Sequence, residues 1–339
     1  MTRMTYVLGI DAGGTSARAV LATPDGQILA TGRGGPANFQ AVGDDMAVAS
    51  LDRAIDEAVI AVGHSDSIRD DIATVVAGLA GMHVQADYDR FTLLMHRLLP
   101  SSQVHICNDG QVALAGATGG APGVVVVAGT GSIAYGMDRP GRYLRCGGWG
   151  YIIDDEGSAY AITLAALHAA SRAADGRTGP SSLMTAFGEA VGVPTFDDIL
   201  RPVYGPPVLT RHQLAALAPL VTRCAADGDA AARQVLVEAG QDLAALALTL
   251  LRQCAAADEA YPVAYTGGVW TAGEFVLGPF RERVLAAYPR VALQPPLLSP
   301  AAGAVLLGIS LLTGARIPDP SVIARLGQAS GASAADARI

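Results

Sequence analysis

The stretch that decides the fold reads Tyr6-Val7-Leu8-Gly9-Ile10-Asp11-Ala12-Gly13-Gly14-Thr15, an apolar strand that ends in an aspartate and a glycine turn. Two further short apolar runs follow it, at 17–22 and 27–31. The break between them, Pro24-Asp25-Gly26, is a strong hairpin signal. The opening of the chain is therefore predicted to be three antiparallel strands.

Helical and strand patterns alternate after this opening. The apolar residues of 44–62 recur at helical spacing, with Asp44 placed to cap the start and Gly63 to end the helix. The elements predicted next are a buried strand at 72–77, a helix at 87–99 and a buried strand at 104–107. The first part of the chain thus has the predicted order βββαβαβ.

The opening pattern then recurs 116 residues later, counted from Gly13 to Gly129. A strand at 124–128 leads into Gly129-Thr130-Gly131-Ser132, and a second strand runs to a turn at Pro140-Gly141. The positions that coincide at this offset are Ala12/Ala128, Gly13/Gly129, Ser16/Ser132, Pro24/Pro140, Gly32/Gly148 and Gly34/Gly150. This order of strands and turns indicates an internal duplication.

The remaining elements complete a two-domain α/β prediction. Helices are expected near 158–174, 213–226, 229–256 and 300–312, with a strand at 263–266. The predicted division is an N-terminal lobe at 1–118, a larger C-terminal lobe at 119–317 and a loose tail at 318–339. Two similar β-rich halves imply a cleft between lobes, where small ligands bind.

All 23 Lys and Arg positions of the chain are arginine, so it contains no lysine. A P-loop nucleotide hydrolase and a protein kinase each need a lysine in their motifs. A pyridoxal-phosphate enzyme needs a lysine for its Schiff base. These three classes are excluded. Mutational bias toward GC-rich arginine codons is the simplest explanation of the missing lysines.

Charge and apolar patterning narrow the expected partners and location. The net charge is −8 and no basic stripe occurs, so nucleic acid is not an expected partner. The longest apolar runs, 243–251 and 304–312, are too short to span a bilayer. The four cysteines form no C-x-x-C pair, so a disulfide framework or zinc ribbon is not expected. The expected location is the cytoplasm.

Both glycine turns could bind phosphate. Glycine lets several backbone N–H groups point at an anion and lets phosphate oxygens approach closely. Asp11 ends the first strand beside such a turn, where a carboxylate can hold Mg²⁺ through water. The alternative is a pair of ordinary glycine hairpins, with Asp11 closing its strand as an Asx-turn residue.

The second turn also matches the dinucleotide fingerprint over Gly129-Thr130-Gly131-Ser132-Ile133-Ala134. That motif requires a helix to follow the glycines. Here Ile133 and Tyr135 alternate with small residues, which predicts a strand. A dinucleotide site is therefore not favoured.

These motifs resemble those of the actin/hexokinase/Hsp70 ATPase fold. Gly9–Thr15 resembles its first phosphate motif, Gly129–Ser132 its second, and Thr266-Gly267-Gly268-Val269-Trp270 its adenosine motif. A more specific block, Cys146-Gly147-Gly148-Trp149-Gly150 with Asp154-Asp155-Glu156-Gly157-Ser158, resembles the N-acetylglucosamine kinase branch of the BadF/BadG/BcrA/BcrD ATPase family. The resemblance implies two ribonuclease H-like lobes and ATP-dependent phosphorylation of an amino sugar at its 6-hydroxyl.

The resemblance also implies roles for individual residues. Asp109, in Asn108-Asp109-Gly110, stands at the position of the family's catalytic aspartate, and phosphoryl transfer needs a carboxylate to accept the proton of the nucleophile. An N-cap aspartate is the alternative role. The residues implied to contact the sugar are Asn38, Asp109, Gly148, Trp149, Gly150 and Asp155. The residues implied to contact ATP are Gly13, Gly14, Thr15, Gly129, Thr130, Gly131, Ser132, Gly267 and Gly268, with Mg²⁺ at Asp11. For Trp149, packing in the core is an equal alternative.

Two other functions stay open at this stage. One is an ATPase that activates 2-hydroxyacyl-CoA dehydratases, which holds an iron–sulfur cluster through cysteines at a dimer interface. Cys107 and Cys146 lie outside the cysteine contexts of those proteins. The other is a non-enzymatic sugar sensor. The expected partners of the leading hypothesis are a small amino sugar, N-acetylglucosamine first and then glucosamine or N-acetylmuramate, and a second copy of the chain.

Overall fold

Two five-stranded sheets form the framework of the protein in the computed structural model, which describes residues 5–63, 65–82, 84–315 and 319–330. The strands are β1 Tyr6–Ala12, β2 Ala17–Ala22, β3 Ile28–Gly34, β4 Ile72–Leu79, β5 Gln103–Asn108, β6 Gly123–Ala128, β7 Ser132–Met137, β8 Tyr143–Gly147, β9 Pro262–Thr266 and β10 Ala292–Gln294. The helices are α1 Phe39–Val42, α2 Asp44–Val62, α3 Ser65–Asp71, α4 Gln85–Leu98, α5 Asp109–Thr118, α6 Ala159–Ala174, α7 Leu183–Val191, α8 Leu200–Tyr204, α9 Arg211–Ala215, α10 Ala218–Ala226, α11 Ala230–Cys254, α12 Glu274–Ala287, α13 Pro300–Thr313 and α14 Pro320–Ser330.

The two sheets share one connectivity. The first has the order β3-β2-β1-β4-β5, and the second has the equivalent order β8-β7-β6-β9-β10. In the first, β1 pairs antiparallel with β2 and parallel with β4. In the second, β9 pairs parallel with both β6 and β10. The internal duplication and the α/β class predicted from the sequence are confirmed.

The chain forms two compact units whose limits differ from the predicted lobes. The first unit joins residues up to Gly123 with those from Pro295 onward, and the second holds Val124–Gln294. The predicted boundary at 118/119 lies close to Gly123, but residues 295–317 belong with the first unit. The reason is α13, which packs against β1 and α5 of that unit.

The first sheet is covered on both faces. On one face, Leu8 and Ile10 of β1 join a buried cluster with residues of α2 and α4. On the other face, Val7 packs with Val305 and Leu306 of α13. A sheet covered on both faces reads as a nearly continuous apolar run, which explains the apolar opening of the chain.

Gly9 lets α13 lie directly on β1. A Cβ on Gly9 would lie 2.4 Å from both the Ala301 carbonyl oxygen and the Val305 nitrogen, which are backbone atoms. Backbone atoms cannot turn away as a side chain can, so an added methyl group must displace the helix.

We expect Gly9→Ala to lower the free energy of unfolding by about 2 kcal/mol, within the usual cost of overpacking a core. Chemical denaturation followed by far-ultraviolet circular dichroism measures the effect. Gly179→Ala is the matched control, because a Cβ at Gly179 meets no atom within 4 Å. Equal stability of the two variants would contradict the packing of α13 on β1.

The second unit is built around α11. This helix contacts α12, α10, α6 and β7. Among the described residues it is the one helix long and apolar enough to cross a membrane, with 56% of its most apolar window buried inside the protein. Its buried residues, from Ala232 to Cys254, lie in the core cluster of the unit, so the packing is that of a core helix.

Several helical segments differ from the predictions. The tail predicted to be loose contains α14 over its described part, with Val322 and Leu326 buried against the first unit's core. The helix predicted at 213–226 is two helices, α9 and α10, with a proline in the first turn of α10. Elements without a prediction are α1, α3, α7, α8, α12 and β10.

Candidate active site

The candidate catalytic groups of the first sheet lie at the carboxyl ends of its parallel strands β1 and β5. Asp11 of β1 pairs with Gly78 of β4, and Gly78 pairs in turn with Cys107 of β5. Asp109 comes two residues after Cys107 and begins α5. The carboxyl ends of adjacent parallel strands lie at the same end of a sheet. Asp11 and Asp109 therefore lie at one end of the first sheet.

Burial and a neighbouring negative charge perturb Asp11. Burial is the larger cause, and together with the charge of Asp109 it raises the pKa of Asp11 to about 7. Arg18 lies directly opposite Asp11 on β2 and acts in the other direction, lowering this pKa. A cation beside the two carboxylates would relieve the same repulsion.

The raised pKa of Asp11 predicts a pH dependence of stability. Between pH 4 and pH 7 the folded protein holds a proton on Asp11 that the unfolded chain, with its ordinary pKa of 3.8, has released. Stability from this group is therefore greatest below about pH 4 and falls as the pH rises to about 7. Thermal unfolding temperatures from pH 4 to pH 8 should fall less steeply for Asp11→Asn than for the wild type. Parallel curves would show that Asp11 has an ordinary pKa.

Asp109 has a different setting from Asp11. It is half-buried, and Asn108 before it is the N-cap of α5, accepting a hydrogen bond from the Gly110 N–H at 2.9 Å. Asn108 therefore takes the N-cap position, and the same Gly110 N–H also donates to Oδ1 of Asp109 at 2.9 Å. The N-terminus of a helix favours the ionised form of a carboxylate, which is the form a general base requires.

Asn38 is tied to the first glycine turn. The N–H groups of Ala37 and Asn38 both donate to the Gly13 carbonyl, at 3.0 and 3.2 Å. The Oδ1 atom of Asn38 caps α1 by accepting from the Gln40 N–H at 3.1 Å. Because its oxygen is engaged, Asn38 offers its NH₂ group, a donor, to a ligand.

The first residue of α6 is hydrogen-bonded to the backbone of the second glycine turn. The Ala159 N–H donates to the Gly129 carbonyl at 2.9 Å. Ser132 is buried, its hydroxyl donates to the Glu156 carbonyl at 2.6 Å, and its N–H donates to Asp155 at 3.3 Å. Both donors of Ser132 are thus used within the protein. These two hydrogen bonds help to fix the turn, and the contact of Ser132 with ATP stays a prediction.

Asp155 has two partners within the second unit. It is 3% exposed and has a positive φ of 70°. One carboxylate oxygen accepts from the Ser132 N–H, and the other pairs with Arg211 at 2.6 Å. Burial is the main cause of the raised pKa of Asp155, and the Ser132 N–H and Arg211 oppose that shift. These partners make Asp155 a support for the turn, and its contact with sugar hydroxyls stays a prediction.

Trp149 stands on the surface, which excludes the core alternative. It is 65% exposed, and the guanidinium of Arg145 lies 4.6 Å from the centroid of its ring. Asp154 accepts from the Trp149 N–H at 3.2 Å. Gly148 and Gly150 on either side have positive φ values of 73° and 90°. An exposed indole flanked by glycines is a suitable surface for an apolar face of a ligand.

The adenosine motif adjoins the second glycine turn within the second unit. Thr266 of β9 pairs with Val127 of β6, so both strands end at one edge. A Cβ on Gly267 would lie 2.3 Å from the Ala128 carbonyl oxygen, and its φ is +110°. Only glycine fits this position, which lies against the backbone of Ala128 at the end of β6.

Four predicted glycines have no structural requirement within the protein. A Cβ at each would meet no atom within 4 Å, and none has a φ in the left-handed region: Gly13, Gly14, Gly129 and Gly268. The open space beside these glycines would let a ligand approach the backbone closely. Exposed Thr15 borders the first turn, and half-buried Thr130 lies in the second.

The described residues contain no group of three or more metal-ligating side chains. This is compatible with Mg²⁺, because Mg²⁺ is usually held by one or two carboxylates and substrate phosphates.

The structure adds three residues that the sequence reasoning missed. Arg18 lies beside the first glycine turn and Arg211 beside the second, so arginines stand at both turns of a chain without lysine. Tyr88 of α4 lies near Asp109, whose charge contributes, after burial and Cys107, to the raised pKa of the Tyr88 hydroxyl. Cross-strand pairing could have indicated Arg18, but no sequence signal marks Arg211 or Tyr88.

Two curated relatives match most of the chain. An N-acetylmuramic acid/N-acetylglucosamine kinase of Clostridium acetobutylicum is 28% identical over 307 residues, which cover 91% of this chain and 99% of the relative. An N-acetyl-D-glucosamine kinase of Dictyostelium discoideum is 29% identical over 313 residues, covering 89% of this chain and 97% of that protein.

Solved structures and a family profile agree with this similarity. A protein of Chromobacterium violaceum, provisionally named an N-acetylglucosamine kinase, superposes with a TM-score of 0.67 at 28% identity, covering 90% of this chain and 99% of its own. A ROK family glucokinase of Streptomyces griseus shares the fold with a TM-score of 0.56 at 19% identity, over 89% of this chain and 98% of that one. The profile of the BadF/BadG/BcrA/BcrD ATPase family matches residues 8–308. The chain belongs to the BadF/BadG/BcrA/BcrD ATPase family.

Proposed function

We propose that this protein is an ATP-dependent kinase of amino sugars that phosphorylates the 6-hydroxyl, with N-acetylglucosamine as the first candidate substrate. The observation that carries the proposal is the position of Asp109 at the N-terminus of α5. It lies at the same end of the first sheet as Asp11. The activities named for the two curated relatives support it, and they make N-acetylmuramate a second candidate. Glucosamine is a third, since a glucosamine kinase of Vibrio cholerae is 31% identical over 175 residues.

The proposed reaction is direct phosphoryl transfer. The oxygen of the sugar hydroxyl attacks the γ-phosphorus, its proton passes to the carboxylate of Asp109, and the bond from the γ-phosphorus to the bridging oxygen breaks to release ADP. The NH₂ group of Asn38 would donate to a sugar oxygen. Trp149, with Gly148 and Gly150, would contact the sugar ring in the second unit.

ATP would be held mainly by backbone. In the first unit, the donors to ATP would be the N–H groups of Gly13, Gly14 and Thr15. In the second unit, they would be those of Gly129, Thr130 and Gly131. Gly267 and Gly268 would accommodate the adenosine. When bound, Mg²⁺ neutralises charge that develops on the phosphates, and Asp11 is the residue that would hold it.

The activator ATPase is not favoured. A cluster shared across a dimer interface needs reachable thiols, whereas Cys107 is 2% exposed and burial raises its pKa to about 12. A thiol of this kind stays protonated and is a poor metal ligand. The expected cytoplasmic location and homodimer remain part of the proposal, and size-exclusion chromatography with light scattering tests the dimer.

A substrate panel tests the function. Purified protein is mixed with ATP, Mg²⁺ and one of N-acetylglucosamine, glucosamine, N-acetylmuramate or glucose, and ADP release is followed with a coupled assay. The 6-deoxy form of the preferred sugar is the matched control for the site of transfer and should give no ADP above background. If none of the three amino sugars is phosphorylated, the proposed kinase activity is refuted. Sugar binding without turnover would indicate a sensor.

A further inference from the structure

Arg211 lies directly against the second glycine turn. It is the first residue of α9, whose start is fixed by a capping box between Thr210 and Gln213. A Cβ placed on Gly131 would be 2.6 Å from the Nη2 atom of Arg211 and 2.8 Å from Oδ2 of Asp155. The absence of a side chain at Gly131 is therefore what allows the guanidinium to reach the turn.

The guanidinium is firmly oriented but only partly used. Its Nη2 atom pairs with Asp155 at 2.6 Å, and its Cζ atom lies 5.1 Å from the centroid of the Tyr151 ring. Its Nε atom is buried and has no hydrogen-bond partner among the described residues. The side chain is still 33% exposed. Since a guanidinium carries five N–H donors, it retains donors for a ligand beyond the one that Asp155 accepts.

The turn beside Arg211 presents donors of the same kind. Its Gly129 and Thr130 carbonyls accept from the N–H groups of Ala159 and Tyr160, so those acceptors face the body of the unit. In the described part of the chain, the N–H groups of Thr130 and Gly131 have no partner. Free N–H groups beside a planar cation form a site for an anion that offers several oxygens.

We propose that Arg211 is a phosphate-binding residue of the second glycine turn, and that Asp155 is the positioning residue that holds its guanidinium there. The proposal rests on the proposed function, because the anion is taken to be the phosphate chain of the nucleotide. Arginine suits this task, since its fork of donors can contact two phosphate oxygens at once. The role is one that a lysine has in many nucleotide-binding proteins.

The test compares a nucleotide that carries phosphates with one that carries none. Isothermal titration calorimetry measures ADP and adenosine binding to the wild type and to Arg211→Met. Loss of a charge-assisted contact to phosphate should weaken ADP binding about tenfold or more and leave adenosine binding within about twofold. Equal weakening of both ligands, or of neither, would overturn the proposal.

Arg177→Met is the matched control. Arg177 also pairs with an aspartate at 2.6 Å, but this pair is exposed and lies in the turn after α6. The control removes the same charge and an ion pair of the same length, and ADP binding should stay unchanged. A comparable loss of ADP affinity in this variant would show a general effect of net charge and overturn the proposal.

A second measurement uses the wild type, in case Arg211→Met does not fold. Phenylglyoxal modifies exposed arginines, and mass spectrometry of the digested protein gives the extent at each site. ADP should protect Arg211 at least about threefold and adenosine should not, and equal modification with both ligands would overturn the proposal. Wild-type protein that binds ADP but phosphorylates no amino sugar would refute the proposed function alone, so the two failures are distinguishable.

Discussion

Asp109→Asn is expected to lower kcat at least about 10²-fold while leaving ADP binding unchanged. The amide keeps the size of the side chain but cannot accept the proton of the sugar hydroxyl, and removing a general base typically costs 10²- to 10⁴-fold. Steady-state kinetics with the preferred sugar measures the loss of turnover. Calorimetry with ADP measures binding, which does not depend on proton transfer.

The control for this prediction separates the base from the helix start. Asn108, not Asp109, caps α5, so Asp109→Asn should change the unfolding temperature little. Asn108→Ala should lower stability by about 1 kcal/mol, the usual value of an N-cap. Full turnover by Asp109→Asn would assign the proton to another acceptor. A large loss of stability in that variant would make Asp109 a structural residue.

Gly14→Val is expected to weaken ADP binding by about 10²-fold with little change in stability. A Cβ at Gly14 meets no protein atom within 4 Å, and the backbone there is not left-handed, so the fold can accept a side chain. The same side chain would occupy the open space proposed for phosphate and prevent its close approach to the backbone N–H groups. Calorimetry with ADP and thermal unfolding together measure the two effects.

Gly179→Val is the control for Gly14→Val. Gly179 has the same open surroundings but lies in the exposed turn after α6. Both variants should unfold within a few degrees of the wild type, and only Gly14→Val should lose ADP affinity. Normal ADP binding by Gly14→Val would place the phosphates elsewhere.

Local signals explain why much of the fold could be predicted. The strands β1 to β3 and the helix α2 follow from apolar spacing and turn residues that are close in sequence. The recurrence of that pattern at Gly129 was enough to predict the second sheet. The strand predicted after Gly131, which argued against a dinucleotide site, is confirmed as β7.

Long-range packing explains what could not be predicted. The place of α13 depends on contacts with Gly9, nearly 300 residues away, so its apolar pattern could not show which unit it joins. The pairing of Asp155 with Arg211 spans 56 residues, so no local pattern could show that Asp155 also supports the turn. Trp149 is exposed, whereas composition alone is compatible with either role.

The return of α13 to the first sheet has a consequence for synthesis of the chain on the ribosome. The second unit is continuous, from Val124 to Gln294, so its core can form as soon as it has emerged. The face of β1 at Val7 and Gly9 must wait for Ala301 and Val305, near the end of translation. One face of the strand made first is thus covered last, and the nascent protein exposes that face to chaperones for most of its synthesis.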